Sequence, residues 1–170
     1  MSSKTHLEHK AQAPRQIGCV VITCSDTRTK ETDTSGYLIM RLLKDHGHAV
    51  AAYHLVKDQP AKIKGRIKAA ATSKAVQAII INGGTGIARR DSTYEAVEAM
   101  LEKRLDGFGE IFRYLSYMEI GSSAILSRAT AGVYRGRALF STPGSEAAVR
   151  LAMEKLILPE LPHIVREISK

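Results

Sequence analysis

The sharpest chemical feature of the chain is Asn82-Gly83-Gly84-Thr85-Gly86, which directly follows the apolar run Val76 to Ile81 and precedes Arg89, Arg90 and Asp91. Glycines without a Cβ let backbone N–H groups crowd against an anion, and the exit of a strand toward a helix is where phosphates commonly sit. Gly83, Gly84, Thr85 and Gly86 are therefore candidate phosphate-binding residues, and a tight turn needing positive φ is the plain alternative. The neighbours favour the anion site, because phosphoryl groups are met by fixed positive charge, here Arg90 or Arg89, and Mg²⁺ by a carboxylate, here Asp91. The loop is neither G-x-G-x-x-G nor a Walker A loop, since no Lys follows Gly86, so a dinucleotide dehydrogenase loses its main support.

Other candidates follow from position. Thr142-Pro143-Gly144-Ser145 lies between the apolar stretch Ala138 to Ser141 and a helical pattern, so Pro143, Gly144 and Ser145 either join the same anion site or form a Pro-Gly turn with a Ser cap. Asp58, just before Gln59-Pro60, reads either as a helix-start cap or as the metal or substrate partner of Asp91. Ser25 and Asp26, at the exit of the first apolar run, face the same choice. Ser122, Ser123, Ser127 and Arg128 suit a phosphate or, equally, a solvated loop.

Several chemistries are excluded. The six histidines follow no metal-ligand spacing, and no G-x-S-x-G or Cys-His arrangement supports acyl transfer. Cys19 and Cys24 lie in and at the exit of one strand, five positions apart, so their side chains point to opposite faces and read as structural, reduced thiols.

The elements that must position these residues alternate. Ile17 to Thr23 is a nearly continuous β-branched run of the kind covered on both faces, and Val76 to Ile81 repeats it. Between them come a helix with Leu38, Ile39, Leu42 and Leu43, capped by Thr34 or Ser35 and stopped at Gly47, and a strand near His48 to Val56. A helix behind Pro60 carries Ile63, Ile67, Ala70 and Ala71. Ser92 and Glu95 suggest a capping box for a helix with Val97, Met100, Leu101 and Leu105. Phe108, Ile111, Phe112 and Leu115 mark another helix; Gly121 to Gly136 reads as loop with one short strand; Ala138 to Ser141 is the last core strand. A helix then starts at Ser145 with Val149, Met153, Leu156 and Ile157, and after Pro159 an amphipathic segment carries Leu161, Ile164, Val165 and Ile168. This order predicts an α/β, three-layer fold with a mainly parallel central sheet and helices on both faces, binding ligands at the carboxyl ends of its strands.

The chain has 170 residues, with 25 Lys and Arg against 17 Asp and Glu, a net charge of +8. That length predicts one domain, which buries roughly 70% of its unfolded surface without disulfide or metal staples. Residues 1–13 are polar and read as a flexible tail rather than a secretion signal, leaving 14–170 as the domain. No run reaches the roughly 18 apolar residues of a membrane span, so the expected location is cytoplasmic with no membrane partner. Nucleic acid binding rests on the charge alone; that charge is diffuse and the chain has no Trp, so there is no evident stacking platform and anionic small molecules explain the sign as well.

Taken in order, Asp33-Thr-Ser-Gly36, Gly83-Gly-Thr-Gly86 with Arg90-Asp91, Gly107-Phe-Gly-Glu110, Leu126-Ser-Arg128 with Ala131-Gly132, and Pro143-Gly-Ser145 closely resemble the MoaB/MogA family of molybdenum cofactor biosynthesis proteins over about Arg15 to Leu158. Phe108 to Ser123, with Met118-Glu-Ile-Gly121, resembles the MoaB branch more than the MogA branch. The resemblance implies a molybdopterin-binding domain and an adenylyltransferase that joins ATP to the terminal phosphate of molybdopterin, releasing pyrophosphate. The family's two acidic positions fall on Asp58 and Asp91, implied Mg²⁺ holders. With Arg90 these form the expected catalytic set, while Ser25, Asp26, Ser123, Ser127 and Arg128 form the expected molybdopterin pocket. A non-catalytic molybdopterin- or nucleotide-binding accessory protein of the same pathway is the alternative. The resemblance also implies a homo-oligomer, trimer or hexamer, and partners among other molybdenum cofactor enzymes.

Overall fold

A computed structural model describes residues 14–170; the expected tail, residues 1–13, lies outside the described residues. In chain order the elements are β1 (Gly18–Cys24), α1 (Thr34–Asp45), β2 (Ala49–Val56), α2 (Pro60–Thr72), β3 (Ala78–Asn82), α3 (Thr93–Glu98), β4 (Lys103–Arg104) and α4 (Asp106–Ile120). A 3₁₀ segment (Gly121–Leu126), β5 (Thr130–Tyr134), β6 (Arg137–Thr142), α5 (Glu146–Ala152), a π-helical turn (Met153–Ile157) and α6 (Leu158–Ile168) complete the chain. The six strands form one sheet in the order β2-β1-β3-β6-β5-β4. The first four are parallel, and β5 runs antiparallel to both of its neighbours.

The continuous apolar runs are explained by burial on both sides. Cys19, Val21, Ala78 and Ile80 face a core shared with α1, α4, α5 and α6, whereas Val20, Ile22, Ile79 and Ile81 face one shared with α2 and α3. The two thiols follow the same alternation, Cys19 in the first core and Cys24 in the second. Burial pushes both thiols up to about 12, so they stay protonated at neutral pH and supply no nucleophile.

Register is what builds the site. Thr23 pairs with Asn82 and Asn82 with Thr142, so β1, β3 and β6 end at one level along one sheet edge. The loops that leave them, Ser25 to Arg28, Gly83 to Gly86 and Pro143 to Ser145, therefore emerge side by side, as the parallel topology requires.

Four local expectations differ from what forms. The cap of α1 is Asp33, whose carboxylate accepts from Gly36 N at 3.0 Å, not Thr34 or Ser35. The Ser92–Glu95 capping box does not form, because both side chains have stronger partners elsewhere: Ser92 Oγ donates to Asp58 Oδ1 at 2.8 Å and Glu95 pairs with Arg128. Helix α3 stops at Glu98, so Met100 and Leu101 follow it in the turn and Leu105 stands at the N-cap of α4. The last helix also runs on past Pro159: in the wide turn before it, Leu158 N donates to Met153 O, so the hydrogen-bond register has already shifted where the proline N–H is missing.

Candidate functional site

The three loops enclose a cavity of about 480 Å³, a volume in the range of small-molecule sites. Its floor is the glycine loop. Gly83 and Gly84 hold φ of +96° and +59°, values that side-chain-bearing residues rarely adopt. A Cβ on Gly83 would strike the Cys24 carbonyl, and one on Gly84 would strike Asp58 Oδ2 and Thr93 Oγ1. Glycine is therefore required there by contact as well as by conformation.

The loop's carbonyls are held from outside. Gly84 O accepts from Thr93 N at 3.0 Å, Thr85 O from Arg128 Nε at 2.8 Å and Gly86 O from Arg128 Nη2 at 2.6 Å. Among the described residues the N–H groups of Gly84, Thr85 and Gly86 have no protein acceptor. Three successive donors in a loop that lines a cavity are the arrangement that binds phosphoryl oxygens.

Of the residues expected from the sequence, Ser25, Gly83, Gly84, Thr85, Gly86, Ser127, Pro143, Gly144 and Ser145 line the cavity. Ser145 also caps α5, its Oγ accepting from Ala148 N at 3.3 Å. Asp58 and Asp91 stand against the glycine loop without lining the cavity. Asp58 Oδ1 accepts from Ser92 N, Ser92 Oγ and Thr93 Oγ1 at 3.1, 2.8 and 3.2 Å, so it caps the start of α3 rather than the start of α2, the expected alternative. Asp91 Oδ2 accepts from Ala88 N at 3.0 Å and blocks the Cβ position of Gly86. Among the described residues Asp58 Oδ2 and Asp91 Oδ1 keep no protein hydrogen bond, leaving two hard oxygens beside the phosphate loop.

The remaining expected residues lie elsewhere. Arg90 is exposed and off the cavity wall, as is Arg89. Asp26 points its carboxylate at Asp58 N (3.1 Å), and Ser123 is exposed on the 3₁₀ segment. Arg128 also pairs with Glu95 at 2.5 Å, which holds that carboxyl below its usual range, and lies over the Tyr94 ring at 4.6 Å. Four of its five donors thus serve protein partners, which suits positioning of the loop rather than direct ligand binding. Several residues on the wall escaped the sequence reading. Ser116 and Glu119, at i and i+3 on α4, were hidden because that helix was read for its apolar stripe. Arg28 also lines the wall, and its only sequence signal was its place in the same loop as Ser25.

Among the described residues no cluster of three His, Cys, Asp or Glu forms a closed metal site, and no helix is long and apolar enough to cross a membrane.

Comparison with known proteins bears on the family and the fold. The family described as "Probable molybdopterin binding domain" matches residues 20–163. Molybdenum cofactor biosynthesis protein B of Bacillus subtilis is 56% identical over 164 residues, 96% of each chain. A crystal structure of a molybdenum cofactor biosynthesis protein B superimposes with a TM-score of 0.90 at 53% identity, covering 93% of this chain and 99% of that one. The tungsten cofactor synthesizing protein MoaB of Pyrococcus furiosus gives 0.83 at 37% identity, covering 93% and 100%.

Proposed function

The chain belongs to the molybdopterin-binding domain family, in its molybdenum cofactor biosynthesis protein B branch, and from that membership we propose that it transfers an adenylyl group from ATP to the terminal phosphate of molybdopterin. Its place in molybdenum cofactor biosynthesis follows from its relatives; the adenylyl step is the finer reading. One observation carries it: the unpartnered N–H groups of Gly84, Thr85 and Gly86 in a cavity at the sheet edge.

In this reaction a phosphate oxygen of molybdopterin bonds to the α-phosphorus of ATP, and the bond to the bridging oxygen breaks to release pyrophosphate. The attacking phosphate is already an anion, so the protein needs no strong base. It must align two anions and offset their charge. The glycine loop supplies N–H donors for the phosphates, and Ser145, Ser127 and Ser25 supply hydroxyls on the wall. Arg128 and Asp58 hold the loop and the start of α3 in shape. Asp58 Oδ2 and Asp91 Oδ1 fit Mg²⁺, which takes one or two carboxylates and completes its shell with substrate phosphates and water. Held there, the ion would neutralise triphosphate charge.

Pyrophosphate release from Mg-ATP and molybdopterin is the direct test. Activity in the parent with a loss on the order of a hundredfold in a folded Asp91→Ala protein supports the reading, whereas full activity removes Asp91 from the mechanism. The accessory reading is favoured by one fact, that neither aspartate lines the cavity; ligand binding without pyrophosphate release would select it. Homo-oligomer formation belongs to the same proposal. Ile111, Tyr114 and Met118 leave one side of α4 exposed, continuing into Ile125, an apolar area of the kind that copies of a chain cover. Sedimentation is expected to show a trimer or hexamer, and a monomer at micromolar concentration would refute it.

A further inference from the structure

We infer that Arg28 is the guanidinium that meets a phosphate monoester or diphosphate in this cavity, at the point where the glycine loop touches the Pro143–Ser145 turn. The inference deepens the proposed function and rests on its phosphate-binding reading. Arg28 and Glu119 are the charged residues of the cavity wall, so Arg28 is its one cation among the described residues. Its Nη2 donates to Gly144 O at 2.8 Å. A Cβ on Gly144 would meet Gly83 Cα at 2.9 Å and Arg28 Nη1 at 4.0 Å. The guanidinium therefore sits beside both backbone bends.

It is held there but not saturated. Nη1 lies 3.3 Å from Asp33 Oδ1 and the backbone N–H donates to Ser25 Oγ at 3.0 Å. Asp33 is wholly buried and is itself fixed by Gly36 N at 3.0 Å and Tyr53 OH at 2.5 Å. The pair with Asp33 is single and long rather than a two-point fork, so the carboxylate orients Arg28 without closing it. Among the described residues two of its five side-chain N–H donors are engaged, and the side chain is 28% exposed. The three remaining donors, in a planar fork, match the oxygens of a phosphate. The competing guanidiniums are placed differently: Arg89 and Arg90 stand off the wall, and Arg128 holds the loop's carbonyls.

The test is calorimetric titration of the full chain with inorganic pyrophosphate, for the parent, Arg28→Gln and Arg28→Lys, with thermal midpoints recorded beside it. Arg28→Gln is expected to weaken binding by about tenfold or more, the effect of losing a hydrogen bond to a charged group. Arg28→Lys should recover part of it, since charge returns without the fork. Raising the salt concentration should narrow the gap between the parent and Arg28→Gln, because exposed charge is screened while a change of loop shape is not. Equal affinity in the parent and Arg28→Gln, or a gap that ignores salt, overturns the role of Arg28 and leaves the phosphate reading of the cavity standing. Absence of pyrophosphate binding by the parent overturns both together. If Arg28→Gln does not fold, Arg28→Lys carries the test: a several-fold loss supports the inference and unchanged affinity overturns it.

Discussion

The guanidinium of Arg128 donates to the carbonyls of Thr85 and Gly86 and to Glu95 while lying over Tyr94. A sequence can announce an arginine near a phosphate motif, but it cannot say whether the fork faces the ligand or the loop that binds it. That depends on which side of the loop residues about forty positions away return to. The glycines themselves were legible, since their types alone suggested backbone donors; Arg28 was not, because one arginine in a polar loop carries no pattern. If Arg128 positions the loop, Arg128→Lys fails to substitute, as an ammonium cannot serve three planar acceptors at once. Amide hydrogen exchange of the ligand-free protein at Gly83 and Thr93, whose N–H groups donate to Thr142 O and Gly84 O at the two ends of the loop, is expected to quicken, and KM for the phosphate-bearing substrate to rise by about tenfold. Unchanged exchange combined with lost binding would return Arg128 to the role of direct ligand.

Elements were read best where one periodicity ruled. Pro60 at the first turn and Ile63, Ile67, Ala70 and Ala71 all lie where α2 needs them, and β1 and β3 were plain because both faces are buried. The reading broke where a side chain had a distant partner. Ser92 matched a capping box by spacing, yet its hydroxyl binds Asp58, thirty-four residues earlier in the chain. Two glycines separate conformational need from convenience. Gly65 lies inside α2 with nothing within 4 Å of the place a Cβ would occupy, so Gly65→Ala should stabilise by about 0.5–1 kcal/mol through a less flexible unfolded chain. Gly84 combines positive φ with collisions against Asp58 and Thr93, so Gly84→Ala should lose at least about 1–3 kcal/mol and most activity. Urea unfolding of both variants makes the comparison, and a Gly84→Ala protein as stable as its parent would refute this account of the loop.

At the scale of the whole molecule, one buried histidine ties the start of the sheet together and makes stability depend on pH. His48 is 6% exposed, and its Nδ1 accepts from Ile17 N at 3.3 Å, linking the residue before β1 to the residue before β2. Burial, with the nearby His46 second, lowers its pKa below the ordinary value of 6.5, and burial does the same to His54, helped by Arg66 and Lys30. The folded state thus takes up these protons later than the unfolded chain does. The contribution to stability is complete above about pH 6.5 and is lost as pH falls from there through the folded pKa, where the unfolded chain binds more protons. Protonation of Nδ1 would also remove the acceptor that Ile17 N uses. The expected result is a urea midpoint that drops between pH 7.5 and 5.5 by more than in His48→Asn, whose side-chain oxygen can take the place of Nδ1 as a non-titrating acceptor. A residual slope from His54 should persist in the variant. Parallel pH profiles for the two proteins would show that His48 titrates alike in the folded and unfolded chains, and would place the acid sensitivity in the growing positive charge of a chain that already carries +8 at neutral pH.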